Sequence, residues 1–136
     1  MANFRLIPLS IEQVQLAMPG MRVPTHTVDG YNYNYAAIKC DNEIIGAMNF
    51  NFFKEEDESL VLYLREIAID DSFRGKGLGK GFISYFIKFV KSDCPHPVTA
   101  IELEADDSYD FWIKCGFIPT GEISKDNLPR MQYKMN

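Results

Sequence analysis

The stretch from Leu60 to Val90 constrains the fold more than any other part of the chain. It opens as an apolar, strand-like run, Leu60 to Ile69, and passes through Asp70-Asp71-Ser72-Phe73 into a glycine-rich turn, Arg74-Gly75-Lys76-Gly77-Leu78-Gly79-Lys80-Gly81. Beyond the turn, Leu78, Phe82, Ile83, Phe86, Ile87 and Val90 fall on one stripe of a helix, with Lys80, Ser84, Lys88 and Lys91 on the other side. Strand, glycine turn and helix in that order make an anion site. Glycines let backbone approach a ligand closely and adopt positive φ, and the first helical turn presents unpaired N–H groups at the positive end of its dipole. A phosphate is the natural guest.

The elements around this stretch follow from pattern. Val98 to Leu103 reads as a strand that must lie parallel to Leu60 to Ile69, because a helix joins the two. Ala36 to Cys40, the turn Asp41-Asn42, Ile44 to Phe53, and the charged tip Lys54 to Ser59 lead into Leu60 as consecutive antiparallel strands. Gly46 marks a bulge or a close approach. At the start, Phe4 to Leu9 is β-compatible, Ser10 caps a short helix from about Ile11 to Ala17, and Pro19 to Gly30 is a loop. At the end, Asp107 or Ser108 caps a second short helix, Tyr109 to Cys115, closed by Gly116; Phe117 to Ile123 and Arg130 to Lys134 are the last strands. The order β-α-β-β-β-α-β-α-β-β predicts an α/β (α+β) fold: a mixed, mostly antiparallel sheet of about seven strands with helices on both faces.

Composition narrows the function. The chain has 136 residues, 46% of them hydrophobic, which suits a single domain over 1–136. A net charge of −5 argues against a nucleic-acid surface; it reads first as a merely soluble surface and also suits a cationic partner. Cys40, Cys94 and Cys115 are odd in number and widely spaced, which supports neither a disulfide framework nor a metal site and favours a reducing compartment. The N-terminus lacks the pattern of a signal peptide, and no run approaches the ~18 apolar residues of a membrane span, so a cytoplasmic location is expected. His26 and His96 have no partner at ligand spacing and are read as solvated.

The glycine turn is not a P-loop, since Lys80 or Phe82 stands where the second glycine should be, and it is not GxGxxG, which also requires glycine at Lys80. It does fit Arg-x-x-Gly-x-Gly, as Arg74-Gly75-Lys76-Gly77-Leu78-Gly79. Here the sequence resembles the GNAT superfamily of acetyl-CoA-dependent N-acetyltransferases. Phe111-Trp112-Ile113-Lys114-Cys115-Gly116-Phe117 is similar to the family's aromatic-x-Lys-x-Gly-Phe segment. The resemblance implies a central pair of parallel strands that splay apart, and acetyl-CoA as co-substrate.

It also implies roles. Arg74 to Lys80 would hold the pyrophosphate, through backbone amides from about Gly75, Gly77, Leu78 and Gly79 to Lys80, with Lys76 and Lys80 adding charge; side chains at Gly77 or Gly79 should block the ligand. Backbone of Ile67, Ala68 and Ile69 would pair with the pantetheine arm and hold the thioester carbonyl, provided the parallel strands open near Glu66. Asp107, Trp112 and Lys114 would lie along the cofactor. An amine is mostly protonated at neutral pH, so a carboxylate base is expected: Glu66 first, Glu102 second, with Glu104 on the same face but too far along. Trp112 stands where many family members carry a tyrosine acid; indole cannot serve, so either Tyr109 substitutes or the thiolate leaves unassisted. Tyr31, Tyr33 and Tyr35 alternate onto one face, as a strand edge or as a substrate rim. Cys115, at a helix C-terminus, reads as packed, because that end of the dipole raises a thiol's pKa.

The reading that follows is transfer of acetyl to a primary amine, a polyamine, lysine side chain or other small-molecule or peptide amine, by direct attack in a ternary complex. The alternative is a catalytically weak CoA-binding module acting through a protein partner. No metal, membrane or nucleic acid is expected, and a homodimer is left open.

Overall fold

The computed structural model describes residues 3–10, 12, 13, 16, 34–73, 75, 77–93 and 97–135. The expected loop from Pro19 to Gly30, most of the first helix, Tyr31, Tyr33, Arg74, Lys76, Cys94, both histidines and the chain ends lie outside the described residues. The start of the first helix is visible as a capping box: the Gln13 N–H donates to Ser10 Oγ at 3.2 Å and the Ser10 N–H to Gln13 Oε1 at 2.9 Å.

One sheet carries β1 (Phe4–Leu9), β2 (Asn34–Cys40), β3 (Glu43–Lys54), β4 (Leu60–Ile69), β5 (Val98–Glu104), β6 (Ile118–Ile123) and β7 (Pro129–Lys134) in the order β1-β2-β3-β4-β5-β7-β6. All neighbours are antiparallel except β4 and β5. Between those two run a short 3-10 turn (Asp71–Phe73), the glycine turn and helix α1 (Leu78–Ser92); α2 (Tyr109–Lys114) joins β5 to β6. The mixed sheet with its central parallel pair is the predicted architecture.

The apolar stripe of α1 buries Phe82, Ile83, Phe86, Ile87 and Val90 against the sheet residues Ile38, Met48, Leu62 and Ile101. Each such side chain contributes roughly 1.5–3 kcal/mol of transfer free energy, so this stripe anchors the helix and, through it, the preceding turn. The position of β3 is set by Gly46: a Cβ there would overlap the Ala68 carbonyl of β4, so only glycine allows the two strands to approach. The ladder is also bulged beside Gly46, where Ile38 faces Gly46 but Lys39 faces Ile44.

Two irregularities shape the centre of the sheet. Asn49 pairs with Glu66 while Phe50 pairs with Leu64, which leaves Arg65 as the extra residue of a bulge on β4. The β4–β5 ladder runs from Leu60↔Val98 to Tyr63↔Glu102, beyond which β4 follows β3 and β5 follows β7. The parallel strands therefore part just before Glu66.

Candidate functional site

Two cavities meet at this parting. The first, about 620 Å³, is lined by the glycine turn and the start of α1, by Ile67 and Ile69 of β4, by Phe73, and by Phe111, Trp112 and Lys114 of α2. The second, about 850 Å³, lies among Asn49, Tyr63, Arg65, Glu66, Glu104 and Arg130 and the β6–β7 loop. Ile67, Ser108 and Trp112 line both.

The first cavity joins a glycine turn and two lysines to apolar walls. Gly75 and Gly77 hold φ values of 78° and 74°, a conformation that a side chain strains. Gly77 caps α1 without a side-chain hydrogen bond, and the first helical turn carries no acidic residue. Since the first intrahelical bond into this turn is from the Gly81 N–H to the Gly77 carbonyl, at 3.3 Å, the N–H groups before it have no acceptor within the helix. The charged side chains in this wall are Lys80 and Lys114, with no carboxylate among the described lining residues, in a chain whose net charge is −5. Those features fit a pyrophosphate with an aliphatic arm running toward Ile67.

Trp112 is fixed as the partition between the cavities. It is 5% exposed, packs edge-on against Phe111 and Phe117 with centroids 5.1 Å from each, and donates its indole N–H to Ser108 Oγ at 3.0 Å. Ser108 occupies the N-cap position of α2 as expected, but its hydroxyl accepts from Trp112 and makes no cap bond. The helix closes as predicted, with Gly116 at φ 96°; its N–H donates to the Ile113 carbonyl and that of Phe117 to the Trp112 carbonyl.

In the second cavity Glu66 stands opposite Asn49 across the bulge. Tyr63 lies beneath Arg65 and Arg130, whose guanidinium carbons are 5.4 and 5.8 Å from its ring centroid. Burial, then the hydrogen bond and negative charge of Glu104, push the Tyr63 hydroxyl far above the ordinary tyrosine value, so it stays a neutral donor. Arg130 lies 3.9 Å from Glu104 and 4.0 Å from both Glu102 and Glu122.

The residues expected from sequence divide by place. Glu66 lies in the second cavity; Gly75, Gly77, Leu78, Gly79, Lys80, Ile67, Ile69, Trp112 and Lys114 line the first. Ala68 pairs with Ala47, and its side chain lines neither cavity. Glu102 is buried under the last β4–β5 pair, accepting from Gln132 Nε2 at 3.2 Å, and Glu104 takes the place in the cavity wall. Alternation puts both on one face, but only Glu104 lies past the parting. Tyr109, 40% exposed, and Asp107, an exposed residue at φ 55°, line neither cavity. Tyr35 is buried beside Asn49 and lines neither. Cys115 does have a raised pKa, but burial is the chief cause, with Lys80 opposing it. Asn49, Tyr63 and Arg130 carried no motif; their register against Glu66, Glu102 and Glu104 brings them in, while Arg65 enters as the bulge residue and Ser108 as the N-cap of α2.

A mixed sheet parted at its parallel pair, with a glycine turn on one side and a carboxylate-bearing cleft on the other, suits a two-substrate group transferase. The sequence matches the Acetyltransferase (GNAT) family over residues 11–117, and the chain belongs to that family. No curated protein matches the sequence significantly. Among solved structures, the spermidine/spermine N-acetyltransferase SpeG from Vibrio cholerae is similar with a TM-score of 0.73 and 12% identity, over 97% of this chain and 95% of that one. An acetyltransferase from Thermus thermophilus superposes with a TM-score of 0.68 and 16% identity, over 98% and 97%. Naa50 from Arabidopsis thaliana, in complex with the bisubstrate analogue CoA-Ac-MVNAL, gives 0.66 and 14%, over 97% and 99%. At these identities the likeness is one of fold.

Proposed function

We propose that this acetyltransferase moves acetyl from acetyl-CoA to a primary amine by direct attack in a ternary complex, with the donor in the cavity of the glycine turn and the amine in the cleft of Glu66. The observation that carries this reading is the meeting of the two cavities at Ile67, where the β4–β5 ladder has ended. Lys80, Lys114 and the first-turn amides of α1 hold the pyrophosphate, and the backbone of Ile67 to Ile69 guides the arm and polarises the thioester carbonyl. The amine arrives protonated at neutral pH; Glu66 takes its proton, directly or through a water, and the freed lone pair attacks. As the C–S bond breaks, the thiolate departs beside Ser108 and Trp112, away from Tyr109, and takes up the second proton that the acylated nitrogen sheds, leaving an amide and free CoA thiol.

The cleft carries Glu66, Glu104, Asp106 and Asp126 among its acidic residues, which favours a cationic acceptor. The fold relatives include a spermidine/spermine enzyme and one held with a CoA–peptide conjugate, so polyamines and peptide amines lead the acceptor panel. No helix among the described residues is long and apolar enough to cross a membrane. The test is thiol release from acetyl-CoA with that panel. Amine-dependent release is expected, falling about 10²–10⁴-fold in kcat for Glu66→Gln with the KM for acetyl-CoA held. Tight acetyl-CoA binding with no turnover on any amine would instead support a CoA-binding module.

A further inference from the structure

Two asparagines of β3 are buried with an Oδ1 that has no hydrogen-bond partner among the described residues, Asn49 at 1% exposed and Asn51 at 7%, and of the two only Asn49 lines a cavity. A buried amide oxygen left in this state is costly, and such groups are uncommon in folded proteins. The position of Asn49 is not that of core filler. It lines the acceptor cleft, and it is the register partner of Glu66, opposite the bulge that Arg65 creates. Across a strand pair such partners have their Cβ atoms about 4.5–5.5 Å apart. A nitrogen placed over this pair lies within reach of both oxygens and next to Ile67, where the two cavities join.

We infer that Asn49 positions the acceptor amine: its Oδ1 accepts one N–H of the nucleophile while Glu66 accepts another. The inference rests on the proposed acetyl transfer and adds to it a residue that sets the direction of attack. A primary ammonium has three N–H bonds. Once Glu66 has taken one proton, directly or through a water, the two N–H bonds left on the amine donate to the Glu66 carboxyl and to Asn49 Oδ1, and rotation about the C–N bond into this pairing turns the lone pair toward the split between β4 and β5. The N–H held by Asn49 stays on nitrogen through the attack and becomes the N–H of the product amide; the proton of the other N–H is shed as the C–S bond breaks and ends on the departing thiolate, so no proton passes through the Asn49 amide. The same arrangement discriminates chemically. A hydroxyl has a single hydrogen, and once Glu66 takes it, Asn49 Oδ1 faces an oxygen lone pair; amines are accepted and alcohols refused.

The test compares Asn49→Leu and Asn49→Asp with the wild type, using acetyl-CoA and the best amine of the panel. Asn49→Leu removes the acceptor at nearly constant volume, and exchange of an unpartnered buried oxygen for an apolar group should leave Tm unchanged or raised. Its kcat/KM for the amine should fall at least about tenfold, the loss expected for one hydrogen bond to a charged group, with the KM for acetyl-CoA unchanged. Asn49→Asp keeps an acceptor oxygen and should recover turnover relative to Asn49→Leu. Unchanged amine kinetics in Asn49→Leu would overturn the inference. So would a fall in Tm with loss of acetyl-CoA binding in both variants, which would make Asn49 structural. If the wild type itself turns over no amine, the proposed transfer fails first; a wild type that turns over with an indifferent Asn49→Leu removes the inference alone.

Discussion

Glu102 shows how a carboxylate can sit within one residue pair of the reaction site and still serve the fold. It is 8% exposed, and burial, the largest influence on it, raises its pKa above the ordinary 4.5, while Arg130 and the Gln132 amide act in the opposite direction. A carboxyl raised in this way binds more protons in the folded chain than in the unfolded one between the two values. Its contribution to stability is therefore full below about 4.5 and lost as pH rises through the folded value. Glu102→Gln fixes the uncharged form and keeps an oxygen for Gln132. Thermal melts should show the variant above the wild type in Tm at neutral pH and level with it near pH 4. A variant less stable at neutral pH would mean that the Arg130 pair, at 4.0 Å, outweighs burial.

At the scale of elements, the glycine turn separates what the fold needs from what the ligand needs. Gly75 and Gly77 are required by their positive φ, since a Cβ at either would meet no protein atom within 4 Å. Gly79 has no such demand: it lies in the first turn of α1, and its Cβ would rest 3.5 Å from the Phe111 ring, an ordinary contact. Alanine is the better helix former by roughly 1 kcal/mol. Gly79→Ala should therefore keep or raise Tm, yet raise the Kd for acetyl-CoA at least about tenfold, because the new methyl occupies the cavity between α1 and Phe111; melts and titration calorimetry read the two effects separately. Much of this was legible in sequence, for local reasons. A 3.6-residue stripe after a strand and a glycine turn fixes α1, and a helix between two strands makes β4 and β5 parallel. The rest depends on register, which no single strand encodes. Whether Glu102 or Glu104 faces the cleft turns on where the β4–β5 ladder ends, and Arg65 becomes a bulge only against Asn49. Asn49 itself reads, in sequence, as one of two asparagines, with Asn51, in an apolar run.

For the whole molecule, the decisive relation is that the two cavities approach the split from different sides of the sheet. Asn49, Tyr63, Glu66 and Glu104, in the acceptor cleft, share one alternation set, in which Tyr63 pairs with Glu102 and Asn49 with Glu66. Ile67 and Ile69, in the donor cavity, belong to the other set and pack with the core beneath α1. In the proposed reaction, two substrates arranged this way meet at Ile67 without displacing each other, and the nucleophile reaches the thioester without a covalent acetyl-enzyme. The described cysteines do not offer one: burial raises the pKa of both Cys40 and Cys115, which disfavours the thiolate, and neither lines a cavity. Initial rates measured across both substrates should give intersecting double-reciprocal lines, and intact mass after incubation with acetyl-CoA alone should show the unmodified chain. Cys115→Ser should keep its turnover. Parallel lines together with an acetylated chain would mean a double-displacement route, in which the split at Tyr63↔Glu102 separates two half-reactions instead of joining two substrates.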